Sequence, residues 1–269
     1  MDNAGEASDK AFTLQGESHA NLFNYLGLID TKLMNYKDAG IYLDSAQRLE
    51  PTEPQYIVNH GILLEHLIDT AGALADYQRA LKVEPDYALA MHNIAVIKRS
   101  RGEQISSEKL LNEAIARTPS LPYPYAARAY YRFHHNNLSG ALEDYNRVLT
   151  LNKSDEESWL YLGMVREKLK NYEDAFRAYT EAITLKEDFA RAWVARGTLL
   201  TKMNRLPEAI EDYGVAILWY PDYGVAIYNR ALAYLKSGLQ KQACDDFNHA
   251  ELVYVKVDVA LKDSACKDK

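Results

Sequence analysis

The sequence predicts an all-α chain: a row of antiparallel helix pairs stacked into one solenoid. Three observations predict it. A 34-residue unit recurs seven times in phase from about Ala20 to Val255, with no insertion. Within each unit the marked residues are spaced by 3, 4, 7 or 8 positions, the period of a helix face and not of a strand. Small residues return at fixed sites in both halves of the unit, where only a short side chain lets two helix backbones approach closely.

The clearest copy is residues 156–189, EESWLYLGMVREKLKNYEDAFRAYTEAITLKEDF. Trp159 opens a first helix and Gly163 supplies its small site. After a polar turn at Lys170-Asn171, a second helix carries Ala175, Tyr179 and Ala182. Stepping by 34 residues, the first small site reads Gly27, Gly61, Ala95, Ala129, Gly163, Gly197 and Ala231. The large site of the second helix reads Leu43, Tyr77, Leu111, Tyr145, Tyr179, Tyr213 and Phe247. One helix pair buries too little to stand alone, so neighbouring repeats must share a continuous core.

Along the chain, residues 1–17 match no phase of the repeat and are expected to form a flexible tail, with Phe12 and Leu14 as its apolar points. Ser18 is the expected N-cap of a helix over about 19–33, its hydroxyl accepting an orphan backbone N–H. Repeats one to three (20–53, 54–87, 88–121) end at Pro51, Pro85 and Pro119, which cannot continue a helix. Their internal turns hold Asn35, Asp69 and Gly102, the residues expected to take the left-handed conformation of a sharp helix end. Repeat four (122–155) is the most aromatic, and repeats five and six (156–189, 190–223) are the most regular. In repeat seven (224–257) Val255 stands where proline is expected, yet Leu261 and Ala265 keep the phase. The organisation expected is therefore a tail over 1–17, seven repeats over 18–257, and a capping helix and tail over 258–269.

A large opening residue, a Leu-Gly pair as at Leu162-Gly163, then alanine, an aromatic and proline resemble the tetratricopeptide repeat family, over nearly nine-tenths of the chain. The resemblance implies a right-handed superhelical solenoid of antiparallel helix pairs. It also implies a non-catalytic scaffold or adaptor, whose first helices line a concave groove that binds a peptide segment of another protein. An accessory or targeting subunit, with the catalytic part on another chain, is the alternative. Self-association through an end repeat is a third reading. One branch of the family captures chaperone C-terminal tails; of the matching sites Asn24, Leu28, Asn59, Leu89 and Asn93, only Asn59 agrees, which disfavours that role.

The expected groove residues follow from the first-helix face. Tyr130, Phe133 and Tyr161 fall outside the core columns and are expected to anchor a partner. One inner column reads Lys32, His66, Ser100, His134, Lys168, Lys202 and Lys236 and holds no acid. Such a ladder would focus a positive field toward an extended, acidic segment. Asn59, Asn93 and Asn229 recur at another inner site, where a carboxamide can hold a ligand's backbone amide by two hydrogen bonds. Acidic pairs on the second helices, Glu173-Asp174, Glu211-Asp212 and Asp245-Asp246, are expected to be solvated.

Composition narrows the rest. The net charge of −7 and pI of about 5.6 argue against a nucleic-acid surface, which is normally basic. No run is apolar enough for membrane insertion, and no secretory signal opens the chain. There is no phosphate loop, metalloprotease or hydrolase motif, and the histidines do not gather; no cofactor or metal is expected. Cys244 and Cys266 are read first as reduced thiols, with a disulfide pinning the cap as the second reading. The first reading fits the cytoplasm, the second an exported or periplasmic chain.

Overall fold

The computed structural model describes residues 18–267; the expected tail, with Phe12 and Leu14, lies outside the described residues. Every regular element among the described residues is helical. Repeats one to three contribute α1 Ser18–Lys32, α2 Tyr36–Leu49, α3 Pro54–His66, α4 Thr70–Val83, α5 Ala88–Ser100 and α6 Gln104–Arg117. Repeats four and five contribute α7 Pro122–His134, α8 Leu138–Leu151, α9 Glu156–Lys168 and α10 Tyr172–Leu185. Then come α11 Ala190–Lys202, α12 Leu206–Trp219, α13 Gly224–Lys236, α14 Gln240–Leu252 and the short α15 Val259–Cys266. The chain divides into two compact units, Met1–Ala127 and Arg128–Lys269.

Each helix pair closes on a small-to-large contact. A Cβ added at Gly61 would lie 2.6 Å from the Tyr77 ring, and one at Gly197 would lie 2.8 Å from the Tyr213 ring. Gly163 meets the Tyr179 ring in the same way. The tyrosine fills the space that the missing side chain leaves, and Tyr77, Tyr179 and Tyr213 are buried. Each also packs forward. In the first unit, Ala73, Tyr77 and Ala80 of α4 share a cluster with Ala90, Ile94 and Ile97 of α5. In the second, Ala175, Tyr179 and Ala182 of α10 share one with Ala192 and Leu199 of α11.

The turns correct the sequence reading at two sites. Between the two helices of each repeat the left-handed residues are Met34, Ile68, Gly102, Asn136, Lys170, Asn204 and Gly238, one per repeat at one column, and Tyr254 after α14 is a further one. Gly102 is as expected, but Asn35 and Asp69 stand one place too late. Where the chain leaves each first helix, the next N–H reaches the carbonyl five residues back, as in Asp69 to Leu64 at 2.8 Å and Asn171 to Arg166 at 2.9 Å. This bond closes a Schellman-type end, and its geometry selects the residue before. Asp69 instead caps the following helix, its carboxylate accepting from the Gly72 N–H at 2.9 Å. Ile68, at φ 64°, is a β-branched residue in a region such residues avoid.

A second correction concerns the acids. Asp212 and Asp246 are buried, not solvated. Arg196 donates to Asp212 through Nε and Nη2, both at 2.8 Å, and Arg230 donates to Asp246 at 2.7 and 2.8 Å. Arg128 and Arg132 hold Asp144 in the same way, and His60 Nδ1 lies 2.5 Å from Asp76. Each principal pair spans 16 residues, from a first helix to the second helix of the same repeat. The same two sites are Leu26 and Tyr42, Ile94 and Leu110, or Leu162 and Ala178 in the other repeats. The pair is thus either ionic or apolar as a unit, because one buried charge without its partner is strongly unfavourable.

At the end of the second unit, Asp258 caps α15 by accepting from the Ala260 and Leu261 N–H groups. Ala265 is buried against the cluster around Ile227, Ala243 and Phe247. Cys244 and Cys266 are joined by a disulfide, with Cα atoms 5.1 Å apart, which replaces the reading of two reduced thiols. The bridge closes a loop of 22 residues, a length at which cross-linking contributes about 3 kcal/mol by restricting the unfolded chain. Unfolding in denaturant with and without reductant should show this: reduction is expected to loosen α15 and α14 first and lower the stability of the last repeat by that amount. An identical transition in both conditions would show that α15 holds without the bridge.

Candidate protein-binding surface

The aromatic residues of repeat four gather with those of repeat five in the second unit. Tyr130 and Phe133 lie on α7, three residues apart and so on neighbouring stripes. Tyr161 on α9 meets Tyr130 edge-on with ring centres 5.4 Å apart, and meets Phe133 at 6.1 Å. It stacks on Tyr145 of α8 at 5.8 Å with planes 4° apart. The Lys168 Nζ sits 4.3 Å from the Phe133 ring centre, within cation–π reach. Arg191 donates to the Tyr161 hydroxyl at 3.3 Å and to Glu157 at 2.9 and 3.1 Å. The structure therefore brings Tyr130, Phe133, Tyr161 and Lys168 together, as a partly exposed aromatic patch with cations against it.

Phe133 corrects its expectation. It is 7% exposed and belongs to the core with Ala141, Tyr145, Leu162 and Val165, so it supports the patch from beneath. Its column explains why. Glu65 stands at this site in repeat two and accepts from the Tyr77 hydroxyl at 3.1 Å. Glu167 does the same for Tyr179 at 2.7 Å in repeat five, and Thr201 stands 3.4 Å from the Tyr213 hydroxyl in repeat six. Phenylalanine in repeat four offers no acceptor, and the buried Tyr145 hydroxyl has no hydrogen-bond partner among the described residues. Burial, with Tyr161 and Tyr130 close by, pushes the Tyr145 pKa well above the ordinary phenol value, so the group is held as a protonated donor.

The other expected residues are scattered. Asn59 is buried and already engaged: its amide donates to Asn24 at 2.7 Å and its carbonyl accepts from Gln55 at 3.4 Å. Both bonds that a ligand backbone would need are used inside the first unit, a correction to its expected role. Asn93 and Asn229 are half-buried. In the lysine column, Lys202 is paired with Glu167 at 2.5 Å, so that rung carries little net charge. Lys168 and Lys236 are exposed.

A family model described as tetratricopeptide repeat matches residues 126–188, the stretch that holds this patch, and the same 34-residue helix pair recurs throughout the described chain. The chain carries tetratricopeptide repeats. No helix of this repeat array, among the described residues, is long and apolar enough to cross a membrane. A curated relative, "DnaJ homolog subfamily C member 7 homolog" of Dictyostelium discoideum, is 27% identical over 160 residues, covering 54% of this chain and 30% of that protein. The chain thus spans less than a third of that relative's length.

Solved structures share the fold of the tetratricopeptide array. One is YrrB, described as a TPR protein with an unusual peptide-binding site, at TM-score 0.59 and 19% identity, covering 71% of this chain and 97% of that one. The Cut9–Hcn1 hetero-tetramer of the APC/C aligns at TM-score 0.70 and 15% identity, over 96% of this chain and 50% of that one. PilF of Pseudomonas aeruginosa aligns at 0.66 and 16%, over 84% and 99%.

The sequence reading misses one feature of the tetratricopeptide array. A cavity of about 620 Å³ in the second unit is lined by Phe189, Trp219, Tyr220, Pro221 and Tyr223, together with Lys186 and Arg191. Its signal is present: Trp219-Tyr220-Pro221 stands where earlier repeats have Leu49-Glu50-Pro51 and Val83-Glu84-Pro85. An aromatic pair replaces an aliphatic–acid pair at an exposed loop, which no core column requires.

Proposed function

We propose that this tetratricopeptide-repeat protein is a non-catalytic adaptor that binds an extended, acidic segment of a partner protein on the Tyr130–Tyr161–Lys168 patch. Repeats of this family serve as protein-interaction scaffolds, and that part of the reading follows from the repeat itself. The placement of the site rests on one observation: at the column where the other tyrosine-bearing repeats provide a glutamate or threonine, repeat four provides Phe133. The exchange removes a negative charge and an acceptor from the patch. It leaves Lys168 over the Phe133 ring without that carboxylate, an environment that favours an anionic ligand.

Selection from a displayed peptide library tests this. Enriched sequences are expected to carry acidic residues beside one large apolar side chain. Tyr130→Ala should then weaken the selected peptides by about 2 kcal/mol or more, since aromatic anchors dominate such interfaces. Lys168→Glu should mainly slow association at low salt, because exposed charge pairs contribute about 0–1 kcal/mol and are screened. Phe133 is left intact in this test, being part of the core. Selected peptides that bind both variants like the parent would move the site elsewhere.

A further inference from the structure

We infer that two copies of this chain pair antiparallel through the outer face of α1. The face is apolar and open: Leu22 is 52% exposed, Ile29 54% and Leu33, the residue just past the helix, 61%. In later repeats the same face is covered by the second helix of the repeat before. Column by column, Leu22 corresponds to Tyr56 and Ala90, Leu26 to His60 and Ile94, and Ile29 to Leu63 and Ile97. Ala90, Ile94 and Ile97 pack on Ala73, Tyr77 and Ala80 of the second helix that precedes them. Likewise Leu162 and Val165 pack on Ala141 and Tyr145, and Ala226 and Ala233 pack on Ala209 and Tyr213. Among the described residues, α1 has no preceding second helix packed on it, and its copy of this face is exposed.

The stripe itself names its occupant. Leu22, Leu26, Ile29 and Leu33 are spaced 4, 3 and 4 residues apart, which is the seam spacing of paired helices. The spacing is also a palindrome. Turned end for end, Leu22 falls on Leu33 and Leu26 on Ile29. A face that matches its own reverse fits the two-fold contact of a symmetric dimer. Charge does not oppose it: past His19, α1 carries only Asp30 and Lys32, although the whole chain has a net charge of −7. A seam of about three helical turns lies at the small end of specific interfaces, so the dimer is expected to be concentration-dependent.

Sedimentation equilibrium of the full chain over a range of concentrations tests the inference. A monomer–dimer equilibrium is expected. Leu22→Asp with Ile29→Asp should weaken it by at least about a hundredfold while leaving helicity and melting of the monomer nearly unchanged, because both side chains are already half exposed. A Leu22→Cys, Leu33→Cys double variant should form an oxidised dimer through residues 22 and 33 of opposite copies. A parent chain that stays monomeric at every concentration, or a dimer that survives the double aspartate change, would overturn the proposal. So would a dimer that forms only once residues 1–17 are removed, since the chain's own first segment would then be the occupant. Cross-linking of 22 only to 22 would overturn the antiparallel arrangement.

Discussion

Asp212→Ala is expected to destabilise the second unit by about 3–5 kcal/mol, because it leaves the Arg196 guanidinium buried without its carboxylate. Arg196 and Asp212 have side chains 15% and 6% exposed, with two hydrogen bonds of 2.8 Å between them. Water cannot replace the lost partner without opening the helix pair. The chain itself supplies the rescue: repeat five has Leu162 and Ala178 at the same two sites, both fully packed. Arg196→Leu combined with Asp212→Ala should therefore recover most of the loss, since a well-packed apolar pair is often as stable as a buried ionic one. Urea unfolding of both variants reads this directly. A double variant as unstable as the single would mean that the pair does more than neutralise itself, with the 3.0 Å bond from Arg196 to Thr180 of the preceding repeat as the next suspect.

Tyr179→Ala is expected to cost about 3–5 kcal/mol, the range for removing a buried aromatic ring. Tyr179 is fully buried, packs against Gly163 within its repeat, and reaches α11 through the cluster with Ala192 and Leu199. One substitution therefore opens both the helix pair and its junction with the next. Hydrogen exchange should show protection lost in α9, α10 and α11 while α14 and α15 keep theirs, because stability in such arrays is a sum over neighbours. Gly163→Val should damage the same contact from the other side by forcing the ring out of place. Uniform loss of protection across the unit would show that its repeats unfold together.

Much of the fold was legible because a repeat states its rules seven times. The glycine and alanine sites, the tyrosine column and the prolines at repeat ends each answer a local steric demand, which one residue type meets wherever it recurs. The site was less legible. Phe133 and Tyr130 both look like first-helix aromatics, but three residues of helical rotation turn one inward. Asn59 looks like a free carboxamide until Asn24, 35 residues away, is placed beside it. Asp212 reads as one of a polar pair with Glu211, although only one of two adjacent helical residues can face the core.

The sequence by itself determined the all-helical fold, the length and order of the helix pairs and the residues that let them close, since these follow from periodicity and side-chain size. The tertiary structure alone decided which polar groups are spent inside the protein and which remain for a partner. It paired Arg196 with Asp212, engaged Asn59 and Lys202, joined Cys244 to Cys266, and left Tyr145 without an acceptor among the described residues. Those outcomes depend on which side chains meet across helices, and a hydrogen bond or ion pair exists only where both partners arrive within about 3 Å.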